Sequence, residues 1–498
     1  MNRFFPLLLA PLLLSSCAAS KAQPPQSAFP QSGFNRVLIV SGGPDARYTQ
    51  YAIESNARYL GALTQQSAWR RVLFADGKAA SKTVATLLDT PRTRARAVAS
   101  WLLDTDAPAD AITFHTPTLR PINGSSTPGS ILSNLRALGS MTNPGGRELV
   151  YVTGHGTPGT TWKGDDDYAN TVYNAWGADL SVRAFARELQ SSKSTAPLVL
   201  VMVQCHSGGF ANALFEGGDP SKPVWNRDFC GFFAAVPDRQ ASGCTEQVNE
   251  RDYQDFTTHF FAALSGRTRD GRTLGAADYD GNGRVSFAEA YDYAQIHDDS
   301  IDVPLCTSDA FLRHVFPRDD KAWQKTGFSR LLRDATPGQR AVLNELSDKL
   351  RLTGEDRVRA AQRRLDALGE ADQSARPALS TPRGEDKEAF IAAYNRLESG
   401  AETRAPGFAT LRGTARSRAF ERVVTFLASQ STDLNRVYRV YQLNVQDSEG
   451  RDVEEARLLR FLRGARTITL AKRLTREATP DQRAVFARLT ASENRSAF

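Results

Sequence analysis

Apolar residues come in short unbroken runs along the first half of the chain. The runs are 35–41 (with Arg36-Val37-Leu38-Ile39-Val40), Val72-Leu73-Phe74-Ala75, Leu149-Val150-Tyr151-Val152-Thr153, Pro197-Leu198-Val199-Leu200-Val201-Met202-Val203 and Phe232-Phe233-Ala234-Ala235-Val236. Their β-branched and aromatic content, closed by Gly, Asp or Gln, predicts five buried strands. Continuous rather than alternating apolarity belongs to parallel strands covered on both faces. Helical periodicity lies between them at 53–64, 92–104, 128–138 and from Ser181 to Leu189. Thr127 and Ser181 are good N-caps, and Pro128 suits a first turn. The pattern predicts an α/β sandwich with a mostly parallel central sheet, whose sites lie beyond the carboxyl ends of the strands.

From about residue 325 the β-branched runs stop, and Arg, Ala and Leu recur at helical spacing. Six or seven helices are predicted, with breaks near 369–383 and 399–412. Ala335-Thr336-Pro337-Gly338-Gln339-Arg340-Ala341-Val342-Leu343 recurs as Ala478-Thr479-Pro480-Asp481-Gln482-Arg483-Ala484-Val485-Phe486. Each copy predicts a helix start with Thr as N-cap, Pro at N1 and Gln at N3 closing a capping box. The expectation is two similarly capped helices in one bundle, because a solenoid needs three or more repeats.

The amino terminus reads as an address. Arg3 is followed by an apolar run from Phe4 to Leu14, too short to span a bilayer and of a length that fits a secretory signal. Leu14-Ser15-Ser16-Cys17 resembles the lipobox of bacterial lipoproteins. That resemblance implies diacylation of Cys17 after removal of 1–16, and Ala18 implies the outer membrane, facing the periplasm. Residues 17–34, rich in Ala, Ser, Pro and Gln, read as a tether. A domain of 35–320 and a helical accessory domain of 321–498 follow. In an oxidising compartment Cys205, Cys230, Cys244 and Cys306 could form two disulfides, or at most one if one of them is a catalytic thiol, and the sequence leaves the pairing open.

Composition narrows the picture further. With 498 residues, 41% hydrophobic and 23% charged, with 24 Pro and 36 Gly, the chain is neither collagen-like, coiled-coil nor wholly disordered. The formal charge of +7 is uneven. Residues 1–320 carry 29 Lys/Arg and 32 Asp/Glu (29 − 32 = −3), and residues 321–498 carry 33 and 23 (33 − 23 = +10). The basic residues of the helical third are interleaved with Glu and Asp. A solvated bundle surface therefore fits better than nucleic-acid or anionic-lipid binding, with docking of a protein partner by this domain as a separate expectation.

Two predicted strand ends carry reactive groups: Gly154-His155-Gly156 after the third, and Gln204-Cys205-His206-Ser207-Gly208-Gly209 after the fourth. Neighbouring parallel strands would bring both side chains to one sheet edge. His155 would then serve as base and acid for the Cys205 thiol. The N–H groups of Gly156 and Cys205 are the oxyanion-hole candidates. His206, next along the chain, is expected to face the other way. Asp165-Asp166-Asp167 reads as a solvated loop, and His115, His259, His297 and His314 show no metal spacing.

The pairing of strand–Gly-His-Gly with strand–Gln-Cys-x-Ser-Gly resembles the clan CD cysteine peptidases, the caspases, metacaspases, gingipains and legumains. Phe233 to Cys244 is similar to the strand and loop that follow the legumain nucleophile and help form its substrate pocket. The likeness covers roughly 35–310 and lacks the caspase Ala between Gln204 and Cys205. It implies a caspase-like sandwich and a cysteine endopeptidase acting on protein or peptide substrates. A transpeptidase of the same clan, or a catalytically idle scaffold, are the alternatives. By family logic, an acidic pocket residue selects Arg or Lys and a basic one Asp. Asp45, Arg47, Asp238, Arg239 and Ser242 are the candidates, and the choice among them is open.

Residues 278–289 match the twelve-residue EF-hand loop. Asp278, Asp280 and Asn282 hold positions one, three and five, Gly283 six, Arg284 seven through its carbonyl, Ser286 nine and Glu289 twelve. The loop predicts bound Ca²⁺ and an exiting helix at 287–297. Gly275 interrupts the entering one. A single loop suits a structural clamp more than a paired sensor.

Overall fold

The computed structural model describes residues 30, 32–87, 90–105, 112–140, 146–275, 277–318, 321–370, 387–496 and 498. The leader, Cys17 and most of the tether lie outside the described residues. The tether is shorter than expected. Ser32 N–H already donates to Leu63 O at 3.0 Å, and Phe34 is buried as the first residue of a strand.

β1 (Phe34–Gly42), α1 (Tyr51–Leu63) and β2 (Trp69–Phe74) open the fold. β3 (Val84–Leu87), α2 (Pro91–Leu102) and β4 (Ile112–His115) follow, with β3 and β4 forming a separate antiparallel pair. α3 (Pro128–Ser140) leads into β5 (Arg147–Thr160), β6 (Asp166–Ala175), β7 (Ala178–Ser181), α4 (Val182–Gln190), β8 (Leu198–Met202) and β9 (Phe229–Phe233). α5 (Phe256–Ser265), α6 (Phe287–His297), β10 (Leu305–Cys306) and α7 (Thr307–Val315) complete this half.

The main sheet runs β10-β9-β8-β5-β1-β2, and all of these strands are parallel except β10. This is an α/β fold with a mostly parallel central sheet, as the unbroken apolar runs predict. Every residue of β8 and of β9 is buried, because α1, α5 and α6 cover one face and α3, α4 and α7 the other.

β5 departs from expectation. The third strand does not end at Gly154. It stays extended to Thr160 and exchanges its parallel partners for antiparallel β6, which carries β7 in turn. Glycine makes the crossing possible: a β-carbon on Gly154, at φ +153°, would lie 2.2 Å from the Gly42 carbonyl oxygen. The fifth strand also begins earlier than its apolar run and leaves the sheet after Phe233.

The second half is helical: α8 (Phe328–Asp334), α9 (Pro337–Lys349), α10 (Arg357–Glu370), α11 (Lys387–Arg404), α12 (Gly413–Ser429), α13 (Ser431–Glu477) and α14 (Pro480–Glu493). The expected break at 399–412 is shorter, since α11 continues to Arg404; most of the break at 369–383 lies outside the described residues. α13 has 47 residues and so extends on the order of 70 Å. Both predicted capping boxes form, with Thr336 Oγ1 and Thr479 Oγ1 each 3.2 Å from the N–H three residues on. The two capped helices nevertheless enter different cores. Val342, Leu343 and Leu346 of α9 pack with α13, whereas Leu489 of α14 packs on the sheet. Likeness at a helix start specifies a cap, and the apolar face further along decides the partner.

Candidate active site

The parallel register of β5 and β8 pairs Val152 with Met202, and Val203 N–H donates to Val152 O at 3.0 Å. Three residues further along each strand stand His155 and Cys205. The two chains remain in close contact there, since a β-carbon on Gly156 would meet the Cys205 carbonyl oxygen at 2.3 Å. Only glycine permits that approach.

Cys205 is partly buried. Its Sγ receives the Ala241 N–H at 3.3 Å and faces Ala241 O at 3.6 Å. Burial pushes the thiol above the range of a free thiol, Asp302 pushes the same way, and the Ala241 N–H opposes both. His155 has Nε2 2.8 Å from Gln50 Oε1 and its ring edge-on to Tyr48. Burial lowers its pKa, opposed by a hydrogen bond to the Tyr48 backbone and by Asp45. At neutral pH the site therefore holds a neutral thiol beside a neutral imidazole. Their hydrogen bonds run to Ala241 and Gln50 rather than to each other.

His206 is turned away from this edge. It sits in the left-handed region at φ +58°, with Nδ1 2.8 Å from Pro237 O and its ring stacked on Tyr168. The loop after β9 wraps the thiol. Ala241 touches it, Ser242 N–H donates to buried Asp302 at 2.6 Å, and Cys244 Sγ lies 3.5 Å from Gly154 O. Cys205, Cys230, Cys244 and Cys306 are all free thiols. Of the pocket candidates, Asp45, Arg47 and Asp238 are exposed. Asp45 Oδ1 receives the Arg47 N–H at 2.8 Å, which shapes the loop before Gln50. Arg239 is engaged elsewhere, paired with Glu455 of α13 at 2.6 Å.

Gln50, Ala241 and Asp302 escape sequence reasoning. Ala241 acts through its backbone. Gln50 and Asp302 stand in no periodic or spaced motif. Gln204 is fully buried, and neither polar atom of its amide has a hydrogen-bond partner among the described residues.

No family model matches the chain, and no curated protein is detectably similar to it. No helix among the described residues is long and apolar enough to cross a membrane.

In the 278–289 loop, ligand atoms of Asp278, Asp280 and Glu289 lie within 4.8 Å of one another. Asp278 receives the Gly281 and Gly283 N–H groups at 2.9 and 2.8 Å, and Asn282 Oδ1 receives Arg284 N–H at 2.9 Å. Glu289 Oε1 receives Tyr279 N–H at 2.8 Å, and its Oε2 closes a capping box with Ser286 at the start of α6. Ser286 bridges to Ser496, and Phe287 N–H donates to Arg495 O at 2.9 Å. The carboxyl-terminal segment thus pairs with this loop. No helix enters it among the described residues, since α5 ends at Ser265.

Proposed function

We propose that the chain is a caspase- or legumain-like cysteine endopeptidase of clan CD, with Cys205 as nucleophile and His155 as proton carrier. The observation that carries this reading is the convergence of His155 and Cys205 at adjacent parallel strand ends, with Gly156 against the Cys205 carbonyl. Cys205 Sγ attacks the peptide carbonyl carbon while its proton passes to the neutral His155 imidazole. His155 returns that proton to the departing amine and then draws one from the water that hydrolyses the thioester. To receive the thiol proton, His155 Nε2 exchanges Gln50 Oε1 for the thiol, while the Tyr48 backbone stays as the acceptor that steadies the imidazolium. Gly156 and Cys205 N–H are the donors toward the oxyanion. Asp45, Arg47 and Asp238, all exposed, are the remaining candidates to meet substrate.

The 278–289 donor set suits Ca²⁺: carboxylates of Asp278, Asp280 and Glu289, the Asn282 amide, the Arg284 carbonyl and Ser286. The ion would neutralise converging carboxylates and brace the start of α6. Residues 1–17 support secretion and anchoring of the protein by lipid at Cys17 in the bacterial envelope.

The test incubates the full chain with a broad peptide library, with and without Ca²⁺. Cleavage is expected from the parent and none from Cys205→Ala; equal cleavage by both sinks the assignment. Added amines that appear in the products would reveal transpeptidation. Chelation is expected to lower the melting temperature, and Glu289→Ala to abolish that response. The separate hydrogen bonds of His155 and Cys205 favour one second reading, an idle scaffold. Failure of an electrophilic peptide probe to label Cys205 in folded protein would support it.

A further inference from the structure

A cavity of about 410 Å³ lies where α6 and α7 of the sheet half meet α9, α13 and α14. That is within the size range of small-molecule sites. It borders the acidic loop but is distant in chemistry from the thiol site. Its apolar wall includes Leu312, Val342, Ile468 and Phe486. Its polar wall is anionic.

Two carboxylates there lack a cation among the described residues. Asp292 is 8% exposed and Glu493 4%. Glu493 Oε1 receives Ser308 N–H and Thr307 Oγ1–H, each at 2.8 Å. Asp292 Oδ1 receives Gln295 Nε2 at 3.2 Å, and its Oδ2 has no donor among the described residues. A β-carbon at Gly338 would stand 2.2 Å from that oxygen, so only glycine lets the carboxylate pack this closely on the start of α9. The nearby cations are already used: Arg463 and Arg313 both pair with Asp309, at 2.8 and 3.0 Å. Burial holds the Asp292 carboxyl well above its usual range, and Glu289 and Glu493 add to the effect. A buried carboxylate without a counter-charge is costly, and a site that offers such a group beside an aliphatic wall recruits a cation with an aliphatic stem.

We infer that this cavity is a binding site for an aliphatic amine, with the ammonium group on Asp292 and the stem along Val342 and Ile468. Such a ligand would bridge the sheet and the helices. It would raise the stability of the whole chain by mass action.

The probe is 1,5-diaminopentane, with pentane-1,5-diol as the uncharged control, both added to the full chain in saturating Ca²⁺. Calorimetry is expected to show saturable binding of the diamine and none of the diol, with a melting temperature that climbs with diamine concentration. Asp292→Asn keeps the shape and removes the charge, so affinity is expected to fall about tenfold or more. Gly338→Ala crowds the same oxygen and is expected to weaken binding without altering any charge. Circular dichroism checks that both variants are folded. Equal heats from the diol, no binding of the diamine, or unchanged affinity in both variants overturns the inference. Diamine binding seen only when Ca²⁺ is withheld belongs to the 278–289 loop and overturns it as well.

Discussion

The thiol and the imidazole are both held neutral, and this sets the pH behaviour of the site. The imidazole must be unprotonated to receive the thiol proton. Its pKa is depressed below the free value of 6.5, so the base form persists to lower pH. The acid limb of kcat/KM is therefore expected to have its midpoint below 6.5. Gln50→Glu would place a carboxylate against Nε2 and favour the imidazolium. That limb should move up by about one pH unit or more, and a limb that stays put would remove Gln50 from any positioning role. Gln204 makes a different point. A buried amide without partners costs about 1–3 kcal/mol. Gln204→Met, similar in volume and free of strong polar groups, should raise stability by roughly that amount in a denaturant titration. If peptidase activity falls as stability rises, the amide serves the neighbouring Cys205.

Helix α13 reaches the thiol site without touching it. Arg460 is fully buried, and its Nε donates to Asp302 O at 2.6 Å. Its other nitrogens bond Gln295 O at 3.2 Å, Ser300 O at 3.0 Å and also Asp298 O. Asp302 in turn anchors Ser242, whose neighbour Ala241 meets Cys205 Sγ. Arg460→Met strands these carbonyls and an adjacent carboxylate, Asp298. A loss of about 3–5 kcal/mol in denaturant titration is expected, with altered pH dependence of Cys205 alkylation as the readout of positioning. An unchanged alkylation profile would confine Arg460 to a structural role. This linkage also shows what the sequence could disclose. The five parallel strands, the main helix starts and the two reactive positions follow from local periodicity and punctuation, which act over a few residues; β3, β4, β6, β7 and β10 do not, and Asp166 and Asp167, read as loop, open β6. Arg460 lies 158 residues from Asp302, and nothing in the pattern around it sets it apart from the other arginines of its helix. The same holds for the partner exchange of β5, because a strand's continuation past a glycine depends on whether another strand waits there.

On the scale of the whole molecule, the opposite charges of the two halves meet at their contact. Lys349 and Arg457 both pair with Asp299, at 3.0 and 2.7 Å, and Arg463 with Asp309 at 2.8 Å. Part of the basic surplus after residue 321 thus neutralises acidic groups before it. Apolar burial crosses the same line in both directions. Ala456 and Leu489 belong to the core on one face of the sheet, while Ala95, Val98 and Ala99 of α2 lie in the helical core with Phe420 and Val437. Each large apolar side chain buried in this way contributes about 1.5–3 kcal/mol, against a typical total stability of roughly 5–15 kcal/mol. Loss of the helices would strip several such contacts at once, along with Arg460 and the Glu493 bonds to Thr307 and Ser308. A chain of residues 35–320 alone is therefore expected to aggregate, or to melt without a cooperative transition in calorimetry. The same region co-expressed with 321–498 as a separate chain should recover a cooperative melt, because the missing surfaces return even without the covalent link. A soluble 35–320 fragment with a sharp transition of its own would show that the sheet half folds independently and that the helices are an accessory to it.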